Sequence, residues 1–126
     1  MHRSRLTTLM IDFASEDFEA GAEFWSAALG RERVVENERY ETLKGRMGGT
    51  GAPYVGLQRG LDDPQRFHID IETDDVEAEV RRLGSLGAEV KVQIDNHVVM
   101  RAPGGHTFCV VPQVRGDFDS NAKKWS

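Results

Sequence analysis

The feature that most constrains this chain is a pattern written twice. Met10-Ile11-Asp12-Phe13 returns 58 positions later as His68-Ile69-Asp70-Ile71, and Asp17-Phe18-Glu19-Ala20 returns in the same register as Asp75-Val76-Glu77-Ala78. After one deletion, Leu29-Gly30 matches Leu86-Gly87 at an offset of 57. A copy of fewer than about 60 residues cannot bury its own apolar face. The 126 residues are therefore expected to form one domain in which two copies share a core. The second copy alone carries a histidine at the head of its motif.

The periodicities give the content of each copy. Leu6 to Phe13 alternates as a strand, with Thr8, Met10 and Asp12 on one face and Leu9, Ile11 and Phe13 on the other. A helix capped by Ser15 follows, with Phe18, Ala22, Trp25 and Leu29 as its apolar stripe and Gly30 as its stop. Strands are expected over Arg33–Asn37, Tyr40–Lys44 and Tyr54–Gln58, with a loop of four glycines from Gly45 to Pro53. Gly60 to Gln65, with Pro64, links the copies.

The second copy repeats the order. Arg66 to Glu72 is a strand whose face alternates Phe67, Ile69 and Ile71 against His68, Asp70 and Glu72. A helix capped by Thr73 or Asp74 runs to about Leu86, with Val76, Val80, Leu83 and Leu86 facing the core. Strands follow at Val90–Ile94, Val98–Met100 and Thr107–Val111, with a turn at Pro103-Gly104-Gly105. The tail, 113–126, is polar, with Phe118 and Trp125 as its apolar anchors.

Composition removes several classes of function. No apolar run approaches the roughly 18 residues of a membrane span, and the N-terminus lacks the apolar stretch of a signal peptide. A net charge of −5 argues against a nucleic-acid surface. One cysteine, Cys109, excludes an internal disulfide and suits the cytoplasm. His2, His68, His97 and His106 include no closely spaced pair of the kind that holds zinc on a helix.

Three stretches, Phe24-Trp25-Ser26-Ala27-Ala28-Leu29-Gly30, His68-Ile69-Asp70 and Ala102-Pro103-Gly104-Gly105-His106-Thr107-Phe108-Cys109, resemble the vicinal oxygen chelate superfamily. That superfamily includes glyoxalase I, extradiol dioxygenases and bleomycin-resistance proteins. The resemblance covers about residues 5–112, with Ala102 and His106 as departures from the usual ending. It implies an α+β fold of two βαβββ modules, about 5–60 and 65–112, curved into a cup with helices outside. It also implies homodimers. Superfamily enzymes hold a divalent metal with one side chain from the first and last strand of each module. Those places correspond here to Met10, Gln58, His68 and Cys109.

A thioether, an amide, an imidazole and a thiol supply no carboxylate to a hard or borderline ion. No cofactor is therefore expected, with a divalent metal as the alternative. His68 can act as a base or a pocket hydrogen-bond partner, with Asp70 two residues on to fix its tautomer. The competing reading is a strand histidine held by neighbours. Cys109, between Phe108 and Val110, reads as buried and inert rather than nucleophilic. Tyr54 and His97 complete the expected pocket, Trp25 packs helix to sheet, and Glu16-Asp17 and Asp74-Asp75 are helix-start signals. The expected function is a small-molecule binder that carries or sequesters a partly apolar ligand. The alternative is an enzyme of the same superfamily, metal-dependent or using His68 and Asp70 as a metal-free acid/base pair.

Overall fold

Each copy has the order strand, helix, three strands in the computed structural model, which describes residues 1–47, 51–60, 66–113 and 115–126. The first comprises β1 (His2–Asp12), α1 (Phe18–Leu29), β2 (Arg33–Val35), β3 (Tyr40–Leu43) and β4 (Tyr54–Gln58). The second comprises β5 (Arg66–Thr73), α2 (Val76–Ser85), β6 (Glu89–Ile94), β7 (His97–Arg101) and β8 (Thr107–Pro112). A short helix α3 (Phe118–Asn121) and a strand β9 (Lys123–Trp125) complete the chain. The α+β class and the doubled βαβββ order expected from the repeat are thus present. The expected link at 61–65 and residues 48–50 of the glycine loop lie outside the described residues.

The chain divides into two compact units, Thr8–His68 and Met1–Thr7 with Ile69–Ser126. Both divisions fall inside strands. In the Thr8–His68 unit the strands run β2, β3, β4, β1. The β1–β4 pair is parallel and the β3–β4 and β2–β3 pairs are antiparallel. Ile11, Phe13, Leu43, Val55 and Leu57 meet Phe18 and Ala22 of α1, with Trp25 packed alongside. Fully burying one such side chain contributes roughly 1.5–3 kcal/mol. Close packing here depends on Gly21, because a Cβ there would collide with the Phe13 ring. Gly30 closes α1 with φ 65°, the left-handed conformation that a side chain disfavours. Leu29, expected on the apolar stripe, is largely exposed instead.

Ser15 does not cap α1. Ser15–Asp17 form a 3-10 turn, and Asp17 precedes the helix without a side-chain cap bond. The acidic residues still lie at the positive end of the helix, where their charge is favourable.

In the other unit the order is β5, β8, β7, β6, and β9 pairs antiparallel with His2–Ser4 of β1. Val98, Met100, Phe108 and Val110 form its core, with Ile71, Val76, Val80 and Leu83 packed against it. Asp75, not Thr73 or Asp74, caps α2 by accepting from the Ala78 amide. Thr73 instead accepts from the Asp75 amide, while Asp74 accepts from Arg3. Leu86 is exposed because the helix ends at Ser85, one residue before the expected stripe does. The tail is anchored as its aromatics suggest. Phe118 is buried, with the Arg3 and Arg5 guanidinium groups 5.3 and 5.6 Å from its ring centre.

Candidate functional site

Strand alternation and register build one polar face in the Thr8–His68 unit, on the side of the sheet turned away from α1. Thr8, Met10 and Asp12 of β1 stand beside Tyr54, Gly56 and Gln58 of β4. Tyr40 and Thr42 of β3 extend the same side through Gln58 and Gly56. Met10 is buried, and the absence of a side chain at Gly56 makes room for it. A Cβ there would lie 2.7 Å from Met10 Sδ and 3.0 Å from Thr8 Cγ2. Gln58 Nε2 donates to Tyr40 Oη at 3.3 Å, and Tyr54 has the Arg46 guanidinium 4.6 Å from its ring centre.

The chemical centre of this face is a pair. His68 Nδ1 lies 2.6 Å from Asp12 Oδ2. The Asp12 side chain is 1% exposed and that of His68 10%. Arg66 Nε approaches the same oxygen at 3.5 Å, whereas Asp12 Oδ1 has no hydrogen-bond partner among the described residues. An ionised carboxylate can only accept, so Nδ1 carries the hydrogen of this bond. That selects the tautomer in which Nε2 is the acceptor, and it also suits the imidazolium. Burial strengthens the coupling, because charge is poorly screened there.

The unit therefore brings together four of the expected site residues, Met10, Tyr54, Gln58 and His68. The others belong to the second unit. Asp70 and Cys109 are register partners across β5 and β8, and Cys109 stands opposite Val99 of β7. His97 begins β7 opposite Ile94. Cys109 is only half-buried, although its neighbours Phe108 and Val110 are core residues. The expectation of an enclosed thiol fails because strand alternation turns it away from the helix that covers them.

Asp12 was absent from the expected site. Its alternation with Met10 was visible, and so was its correspondence to Asp70 in the repeat. What the sequence lacked was any sign that the imidazole would bond to a carboxylate 56 residues away.

The positions that correspond to superfamily metal ligands carry four unlike donors. Met10 offers a thioether lodged over Gly56, Gln58 turns its amide nitrogen to Tyr40, His68 commits Nδ1 to Asp12, and Cys109 offers a thiol. None is a carboxylate, the usual donor to a hard ion, while imidazole and thiolate are ordinary donors to a borderline ion such as zinc.

Comparison with known proteins agrees with the architecture. A family model described as a glyoxalase-like domain matches residues 8–111. Among solved structures, methylmalonyl-CoA epimerase from Mycobacterium tuberculosis is 19% identical, with TM-score 0.59 over 87% of this chain and 88% of that one. The Mn(II)-bound glyoxalase from Novosphingobium aromaticivorans is 18% identical with TM-score 0.58. It is matched over 100% of this chain and 44% of its own, so the chain spans less than half of that protein. A variant of 4-hydroxymandelate synthase from Streptomyces coelicolor is 16% identical, with TM-score 0.51 over 94% of this chain and 53% of that one. At these identities the likeness concerns the fold alone. No curated protein sequence matches the chain. No helix among the described residues is long and apolar enough to cross a membrane.

Proposed function

The chain belongs to the glyoxalase-like domain family of the vicinal oxygen chelate superfamily, and on that premise we propose that it is a metal-independent small-molecule binder. The observation that carries this reading is the composition of the face away from α1. Met10 and Gln58 occupy superfamily ligand positions, while the adjoining His68 is tied through Nδ1 to buried Asp12. Thioether, aromatic and amide groups around one hydrogen-bonded charge suit a partly apolar ligand with a few polar groups. The ligand is carried or sequestered.

A thermal-shift screen of small organic molecules in the presence of chelator tests this. Binders should raise Tm, and Gln58→Ala and His68→Ala should each weaken the rise. Near-stoichiometric Zn, Ni, Mn or Fe in protein purified without chelator, lost on His68→Ala, overturns the metal-independent reading.

The 2.6 Å bond between His68 and Asp12 favours a second reading, a metal-free acid/base catalyst. Here His68 is the proton carrier and Asp12 the positioning carboxylate, a role the sequence had assigned to Asp70. A bound molecule consumed over time, with turnover lost in His68→Gln, separates the catalyst from the carrier.

The proposed partner is a second copy of the chain. Support comes from β6, which ends the sheet of its unit and exposes Val90, Val92 and Ile94. A sedimentation mass of one chain at micromolar concentration contradicts it.

A further inference from the structure

The C-terminal strand is held by a cluster that the binding function does not use, all of it in the unit that contains both chain ends. Its centre is Glu79, on the face of α2 and fully buried. Arg82, one turn on, donates to both carboxylate oxygens, from Nε at 2.8 Å and Nη2 at 2.9 Å. His2 Nε2 lies 2.8 Å from Oε1. The held guanidinium sits over the last aromatic residue, with its central carbon 3.8 Å from the Trp125 ring centre. The indole Nε1–H donates to Ser4 Oγ at 2.9 Å, and the Ser4 hydroxyl in turn serves Glu79. One carboxylate thus fixes both surfaces that grip Trp125.

The other end of the tail is held separately. Phe118 is buried, Asp117 accepts from Arg5 at 2.9 Å, and Asp119 pairs with Arg3 at 3.0 Å. None of these contacts involves Glu79. The tail therefore has a fixed root and a tip that, beyond its backbone pairing with His2–Ser4, is gripped by side chains arranged around one carboxylate.

We propose that Lys123–Trp125 is an acid-released strap, latched by Glu79, whose opening uncovers the His2–Ser4 edge of β1. The charged and titratable groups that face Glu79 are Arg82 from its own helix and His2 from β1, with the Ser4 hydroxyl beside them. Lys123 and Lys124 of β9 are exposed to solvent. Burial by itself raises the Glu79 carboxyl, but hydrogen bonds from Arg82, Ser4 and His2 outweigh it and hold it below the ordinary glutamate value of 4.5. A depressed carboxylate contributes stability in full above its unfolded value, and loses it as pH falls through the folded one. The latch is closed at neutral pH and opens on the acid side. Protonation breaks the fork to Arg82, removes the charge that holds His2, and frees the guanidinium from its place under the indole. The uncovered strand edge then presents unpaired backbone groups.

Trp125 and Trp25 are the two tryptophans, so two indole N–H signals report on this chain by NMR. On acidification from pH 7, the Trp125 signal should move toward an exposed, freely exchanging position. Its midpoint should lie below 4.5, before the core methyl signals of Val98 and Val110 collapse. In Glu79→Gln the transition should disappear. Ser4→Ala, which cuts the indole hydrogen bond and leaves the buried fork intact, should at least halve the amplitude and serves if the first variant does not fold. A Trp125 transition unchanged in these variants, or one that coincides with loss of the core signals, overturns the proposal.

Discussion

In the first copy, the side of the sheet turned away from the helix carries Thr8, Met10, Asp12, Tyr54 and Gln58. In the second, the corresponding side carries Asp70, Val92, Ile94, His97, Val99 and Cys109. One has a buried carboxylate bonded to an imidazole. The other sets Val92, Ile94 and Val99 beside Asp70, His97 and Cys109, and Val92 and Ile94 at the edge are 45% and 47% exposed. The helix-facing sides differ far less. Ile11, Phe13, Leu43, Val55 and Leu57 make the apolar set in one copy, and Ile71, Val98, Met100, Phe108 and Val110 make it in the other. The repeat has kept what α1 and α2 need to pack and has varied what they leave uncovered. Packing against a helix asks only for apolar volume, so many residues satisfy it and the alternation persists. The opposite side answers to chemistry, and there a single residue type matters.

The largest expected effect tests the shared side. Leu57 and Met100 are both essentially inaccessible, one in each copy. Leu57→Ala and Met100→Ala should each cost about 2–5 kcal/mol, the range for a large apolar residue cut back in a core. Urea denaturation measures this. If either costs less than about 1 kcal/mol, that helix does not cover a comparable core, and the two copies are less alike than their patterns imply.

A smaller effect separates the opposite sides. Asp12→Ala removes the acceptor of a buried imidazole N–H and should cost about 1–3 kcal/mol. Ile94→Thr, on the uncovered side of the second copy, should stay within about 0.5 kcal/mol because the side chain is half exposed. Combining Asp12→Ala with His68→Ala sharpens the point, since the double variant should cost less than the sum of the singles. Equal costs for Asp12→Ala and Ile94→Thr would erase the distinction between the two faces.

How much of this was legible in the sequence follows from the same division. Alternation is local, so the strand faces, the βαβββ order and the apolar core of each copy could be read from residue spacing. The strand Tyr54–Gln58 has the bounds its pattern gave, and Gly30 ends α1 as its lack of a Cβ allows. Helix starts were less legible. Ser15, Thr73 and Asp74 are all competent caps, and which one acts depends on the backbone path into the helix rather than on residue type. Asp75 wins in α2 because its backbone is extended there and its carboxylate reaches the Ala78 amide. The candidate site was half legible. The expected Met10, Tyr54, Gln58 and His68 fall in one unit, but the His68 bond to Asp12 depends on packing that no local pattern encodes. The tail illustrates the same limit. Phe118 and Trp125 were visible as anchors, but their mates on β1 and α2 are far away in sequence.

The smallest expected effect concerns Cys109, where the two faces can be told apart by chemistry rather than stability. The thiol is half-buried in the second unit, beside Asp70 in register and opposite Val99. A serine there is nearly isosteric, and neither group needs to move. Cys109→Ser should therefore change stability by less than about 0.5 kcal/mol. Affinity for any ligand found in the thermal-shift screen should change by less than about threefold, a difference of under about 1 kcal/mol. Gln58→Ala should do more, because an amide withdrawn from a bound molecule leaves that molecule's polar group without its partner. Titration calorimetry on the two variants compares them directly. If Cys109→Ser abolishes binding while Gln58→Ala does not, recognition lies with the Cys109 side of the second copy, and the polar face around His68 and Asp12 has a structural role.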